Sequence, residues 1–212
     1  TMFVAANGTP GMDTRPITSL TGGVYHYEVF LDDVRVPADV MLGPEGRGFQ
    51  ALLNGLDSDR FWGRFYKAPA LERVLRRLVD YANTTHVNGA PLARDAHVRR
   101  RLAAMAAEIA GLRLLFYRAA CLLRDGAPIT YETAVAKVYA DELGQKLARL
   151  GMEILGRWAP LRAGSREARL DGEISHAYLT SLGHTIGGGT AEMLRTPVAV
   201  RGLGLPAESK RS

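Results

Sequence analysis

The sequence predicts a mainly α-helical protein, an antiparallel bundle of long helices preceded by a few strands. Three observations point there. From "GPEGRGFQ" (residues 43–50) onward, apolar residues recur three and four positions apart along three long segments, the period of a helix face. Upstream, "GVYHYEVFLDDVRVP" (23–37) alternates in strand fashion and is rich in Val, Tyr and Phe. The period changes near Gly43, and no internal repeat or low-complexity tract is present. The expected organisation is residues 1–43 as the tail of a β-domain and residues 44–212 as a helical bundle domain.

Each element has its own signals. The strands are punctuated by "NGTPG" before, "TGG" between and Pro37 after, and so few strands cannot make an independent sheet. Phe49, Leu52, Leu53 and Leu56 mark an apolar face that Leu71, Val74, Leu75 and Leu78 continue beyond Pro69, where a kink or break is expected. The next helix starts after "NGAPLARD". It runs through Leu102, Met105, Ile109, Leu112, Phe116, Ala119 and Leu123 to a Gly-then-Pro stop at "RDGAP". A third spans Tyr131 to Leu155, with Val135, Val138, Leu147, Leu150 and Ile154 inward. After a basic loop come a short helix around Ile174–Leu182 and a glycine-led helix from Thr190. Long amphipathic helices joined by short links pack as a bundle.

Composition excludes several classes. Hydrophobic residues are 47% and charged residues 23%, ordinary for a globular chain. The net charge of +5 is dispersed. Its densest cluster, Arg99 to Arg101, reads as a solvated helix face, because no aromatic residues alternate with the arginines as nucleic-acid stacking requires. A lone Cys121 excludes an internal disulfide, fits a reducing cytoplasm, and reads as a small core residue. The chain has no apolar run of the roughly 18 residues a membrane span needs.

"GHTIGGGTAEMLR" (183–195) is the most informative short stretch. Glycine lacks Cβ, so backbone there takes positive φ and comes close to another molecule. Thr190 suits an N-cap, and Glu192 suits the positive end of a helix. That geometry holds electron-rich groups on backbone N–H donors. It also serves a loop that merely turns a corner, and the motif alone leaves both readings open.

With this order in hand, the chain resembles the C-terminal part of the acyl-CoA dehydrogenase family. "VFLDDVRVPADVMLGPEGRGFQALLNGLDSDR" is similar to the family's passage from its middle β-domain into the first long helix. "AVAKVYADELGQKLARLGMEILG" resembles the helix before its Gly-Gly turn, and "TIGGGTAEMLRTPVAVRGLGLP" its closing cofactor-binding helix. The resemblance implies an FAD enzyme that oxidises the Cα–Cβ bond of an acyl-CoA thioester: a carboxylate takes the α-proton while hydride leaves Cβ for the flavin. It implies electron-transfer flavoprotein as electron acceptor and a homo- or hetero-oligomer formed through the helical domain. No nucleic-acid partner and no membrane span are expected.

Carried over residue by residue, the resemblance is mixed. The family's common base position is Gly188 here, so that carboxylate is absent. A branch similar to isovaleryl-CoA dehydrogenase places its base on the first long helix, immediately before an arginine. The matching pair in "LDSDR" is Asp59 and Arg60. Asp59 is implied as the base, with a side chain one methylene shorter than the branch's glutamate. Gly188, Gly189, Thr190 and Glu192 match cofactor-binding positions. The family's Arg-x-x-Phe-Gly motif reads Thr85 and Asn88 for Arg and Phe, as the "NGxPL" of actinobacterial-type members also does. Its Gln-x-x-Gly-Gly turn carries Glu153 and Arg157.

Other chemistry finds little support. Glu173 and His176 form a single Glu-x-x-His pair, short of the two that a di-iron bundle uses. His26, His86, His97 and His184 lack metal-ligand spacing, and Ser58 and Ser181 lack nucleophile context. "GPEGRGFQ" follows no βαβ unit. Three readings follow: a catalytic chain, of which this piece alone is expected not to turn over substrate; a non-catalytic partner in a heteromeric dehydrogenase; or a structural oligomerisation module. Asp59, Thr190 and Glu192 favour the first, and Thr85, Asn88 and Arg157 the second.

Overall fold

The computed structural model describes residues 1–53, 55, 63–129 and 131–207. The chain divides into two compact units, residues 1–59 and 60–212. In the first, β1 (Met12–Thr18) pairs antiparallel with β2 (Val24–Leu31), Met12 opposite Leu31 and Pro16 opposite Tyr27, with an irregularity at Ile17/Thr18. The hairpin turns where "TGG" stands, with Gly22 at φ +87°. A helix, α1, begins at residue 48 and is described over 48–53. The inward face expected of it does not form: Phe49 is 73% exposed, and Leu52 and Leu53 are exposed too. Nothing described in this small unit is wide enough to cover them. Leu56 lies outside the described residues.

The second unit is the predicted antiparallel bundle. Its helices are α2 (Lys67–Thr84), α3 (Ala96–Arg124), α4 (Glu132–Leu155), α5 (Glu173–His184) and α6 (Ala191–Pro197), the last continuing as a π-helical turn over Val198–Gly202. Pro69 sits in the first turn of α2, where a missing N–H forfeits no helix bond, so the expected break falls just before the proline. Between α2 and α3, β3 (His86–Val87) and β4 (Ala90–Pro91) form a tight hairpin whose turn is Asn88–Gly89, at φ +51° and +81°. Asn-Gly is the residue pair such a turn prefers.

α3 is one continuous helix, as its spacing predicts. Asp95 caps it by accepting from the N–H groups of His97 (2.8 Å) and Val98 (3.0 Å). Leu102, Met105, Ile109, Leu112, Phe116 and Ala119 are buried on one face, and the first five join Leu75, Leu78, Ala82, Leu143, Leu147, Leu150, Leu155 and Ile174 in a single core. Each fully buried leucine contributes roughly 1.5–3 kcal/mol. Two expectations fail here, each for its own reason. Cys121 is exposed, because it stands about 200° around the helix from buried Ala119, and Leu123 lies beyond the last packed turn. On α4 the buried face is also rotated from the expected one: Val135, Val138 and Ile154 are only half-buried, while Ala134, Ala136, Lys137, Ala140 and Asp141 are buried. Among the described residues no helix is long and apolar enough to cross a membrane.

Candidate functional site

The glycine stretch is a turn between α5 and α6. Gly188 and Gly189 take φ of +72° and +99°, which a side-chain-bearing residue rarely adopts. Thr190, in extended conformation, is the N-cap predicted from sequence, its Oγ1 accepting from the N–H of Met193 at 3.2 Å. Glu192 follows in the first turn; hydrogen bonds from its own N–H, then from Thr190, hold its carboxyl below the usual range. Gly188, Gly189, Thr190 and Glu192 are thus brought together in one turn. Asp59 and Arg60 lie outside the described residues.

What fixes the turn was not expected. Its carbonyls are drawn inward onto cations. Lys137 Nζ donates to Gly189 O (2.6 Å) and His184 O (3.2 Å), and Arg64 Nη2 donates to Gly187 O (3.1 Å). Among the described residues no acceptor meets the N–H groups of Gly188, Gly189 or Thr190. The carbonyls of Gly187 and Gly189 are engaged by these cations, while the three N–H groups from Gly188 to Thr190 have no acceptor among the described residues.

The cations belong to a buried polar cluster. Lys137 and Asp141, one turn apart on α4, form an ion pair at 3.0 Å with both side chains at most 1% exposed. Lys67 Nζ and Arg64 Nη1 each lie 3.8 Å from Asp141 Oδ1. Neither Asp141 oxygen has a hydrogen bond of good geometry, so charge attraction holds the carboxylate here. Lys67 Nζ also meets His184 Nδ1 at 3.0 Å, the ammonium donating to a neutral imidazole. Burial, ahead of the nearby cations, lowers the Lys67 pKa to about 8, Asp141 offsetting part of the shift. Burial first, then the charge on Lys67, lowers that of His184. The sequence carried one trace of the cluster, a Lys and an Asp at i and i+4 amid alanines, but that pattern is also the commonest surface pair.

The positions where the family motifs are replaced have structural roles of their own. Thr85 caps α2, and its carbonyl accepts from the N–H of Leu92 at 2.8 Å. Asn88 makes the hairpin turn. Glu153 is ion-paired with Arg101 of α3, and Arg157 stacks over the Trp158 ring at 4.5 Å. Glu173 is taken by Arg77 (2.8 Å) and Arg73, and His176 is exposed. Among the described residues no group of three His, Cys, Asp or Glu side chains is placed to hold a metal.

Residues 46–203 match the family model for the acyl-CoA dehydrogenase C-terminal domain. The chain is 31% identical over 182 residues to the short-chain-specific acyl-CoA dehydrogenase of Megasphaera elsdenii, covering 80% of this chain and 46% of that protein. It is 31% identical over 185 residues to acyl-CoA dehydrogenase FadE26 of Mycobacterium tuberculosis, with 85% and 46% covered. Among solved structures, the ChsE4–ChsE5 complex from Mycobacterium tuberculosis superposes with a TM-score of 0.88 at 29% identity over 97% of this chain and 53% of that one. The Tcur3481–Tcur3483 steroid ACAD does so with a TM-score of 0.89 at 26% identity, over 97% and 52%. The chain spans about half the length of these relatives.

Proposed function

The chain belongs to the acyl-CoA dehydrogenase family, and we propose that it forms the C-terminal helical part of an FAD-dependent enzyme that removes hydrogen from Cα and Cβ of an acyl-CoA thioester. The observation that carries this reading is the glycine turn, with its carbonyls engaged inward, three successive N–H donors left for a ligand, and a Thr-capped helix following. Gly188, Gly189, Thr190 and Glu192 would hold the flavin and thioester edge, and FAD, when bound, supplies the hydride acceptor.

The remaining work falls to side chains. Asp59 takes the α-proton as general base. Arg60, next in the sequence, completes the motif pair with it. Electron-transfer flavoprotein is the proposed acceptor of the reducing equivalents, in the cytoplasm. Oligomerisation through the helical unit is part of the reading, and light scattering on the complete protein should give a multiple of the protomer mass; a clean monomer counts against it.

A second reading, a non-catalytic partner subunit, is supported by Thr85 and Asn88, which are committed to a cap and a turn, and by Glu153, which is committed to Arg101. One substitution separates the two. In the complete protein Asp59→Asn should lower turnover by at least ~100-fold while flavin absorbance is retained. Asp59→Glu should keep activity. A loss under ~10-fold, or a protein that purifies without flavin, moves the assignment to the partner subunit.

A further inference from the structure

Gly188 has no side chain, yet the space beside it is filled. A Cβ built on Gly188 would lie 2.7 Å from Arg64 Nη2, so the guanidinium stands where a side chain at this position would begin. Arg64 is also the member of the cluster that reaches solvent. Its side chain is 17% exposed, against 8% for Lys67, 0% for Lys137 and 1% for Asp141. Gly187 and Gly188 beside it are exposed.

Among the described residues, the charges around it do not balance. Arg64, Lys67 and Lys137 face one carboxylate, Asp141, and the neutral His184 adds none. Among the described residues, two further carboxylates of α4 and α6 are already occupied. Glu142 pairs with Arg195, and Glu192 is bonded to its own N–H and to Thr190 at the surface. Arg64 has five N–H donors, and among the described residues one hydrogen-bonded acceptor, Gly187 O, uses them. Burying like charges is unfavourable unless a counter-charge joins them.

We infer that Arg64, backed by Lys67 and Lys137, is a recognition site for an oxyanion group presented at Gly188. A guanidinium with free N–H pairs matches a carboxylate or phosphate in a two-pronged geometry that an ammonium cannot offer. The inference deepens the proposed function by assigning a substrate class, an acyl thioester that carries a carboxylate on its acyl chain. Free phosphate is the other source of the same chemistry.

The test uses the complete protein and needs no turnover. Two CoA thioesters of equal chain length are titrated calorimetrically, one ending in a carboxylate and one in a methyl group, so that the CoA contribution cancels. Inorganic phosphate is titrated separately. The expected result is ~10- to 100-fold tighter binding of the carboxylate-bearing thioester. Arg64→Met should abolish that preference, and Arg64→Lys should restore part of it. Equal affinities for the two thioesters, together with Arg64-dependent phosphate binding, keep the site and assign it to free phosphate. Equal affinities with no phosphate binding overturn the inference, as does a preference that survives Arg64→Met. Should Arg64→Met not fold, the wild-type comparison and Arg64→Lys still decide. Failure of the dehydrogenase reading looks different: no bound flavin and no affinity for the uncharged thioester, whatever the phosphate titration gives.

Discussion

The two halves of α4 are held in place by opposite means. Its second half packs Leu147, Leu150 and Leu155 into the common core, with Gly151 against Ile174 of α5. Its first half, equally buried, carries Lys137 and Asp141 and meets the glycine turn through charge and hydrogen bonds. The apolar half needs only shape and volume. The polar half depends on ion pairing and on donors, and Lys137 uses its donors to hold the Gly189 and His184 carbonyls in a fixed direction. Packing holds one half, and charge holds the other, which meets the candidate site.

That contrast breaks most sharply at Asp141. Asp141→Asn removes the one carboxylate among three cations without changing shape, and it should lower the unfolding free energy by about 3–5 kcal/mol. Urea denaturation of the complete protein measures this, and a change below about 1 kcal/mol would show that the cluster's charge is dissipated by solvent. In the apolar half the sensitive position is Gly151. A Cβ there would lie 2.9 Å from Ile174 Cγ2 and 3.0 Å from Cδ1, so Gly151→Ala should cost about 1–3 kcal/mol by overpacking. Ile174→Val should recover part of that loss in the double variant, while leaving Asp141→Asn unaffected.

The smallest effect separates the halves by pH. His184 in the fold has a pKa below its ordinary 6.5, so between its folded value and 6.5 the unfolded chain binds more protons. Its contribution is present above 6.5 and is lost as the pH falls through the folded value. Lys67 works in the alkaline range. Its pKa is about 8 in the fold and 10.5 unfolded, so its penalty is full below 8 and is relieved as the pH rises toward 10.5. The difference in urea midpoint between wild type and Lys67→Met should therefore shift in favour of the wild type from pH 8 to 10. A flat difference would place the Lys67 ammonium in water. Variants confined to the apolar half, such as Gly151→Ala, should leave this profile unchanged.

Much of the molecule was legible in the chain. The spacing of Leu102, Met105, Ile109, Leu112, Phe116 and Ala119 determined the buried face of α3, because a helix repeats its face every three or four residues whatever it packs against. Asp95 and Thr190 announced their helix starts, since a cap satisfies N–H groups of its own helix. Asn88–Gly89 carried the signal of a two-residue turn, although it was read only as a stretch before a helix. These are local rules, satisfied within a few residues of chain.

The tertiary structure decided the rest. Lys137 and Asp141 could have lain at the surface like any i,i+4 pair; they are buried because α4 turns that stripe toward α2 and the α5–α6 turn. Arg64 and Lys67 join them from 70 to 77 residues away in sequence, and His184 from 43 to 47 residues beyond. Cys121 and Val135 went the other way, their types suggesting an interior that the helix rotation denied them. The physical reason is common to all of these. Local periodicity selects the helix and its apolar stripe. Whether a charge is solvated or buried depends on which elements close over it, and that is a property of the packed fold.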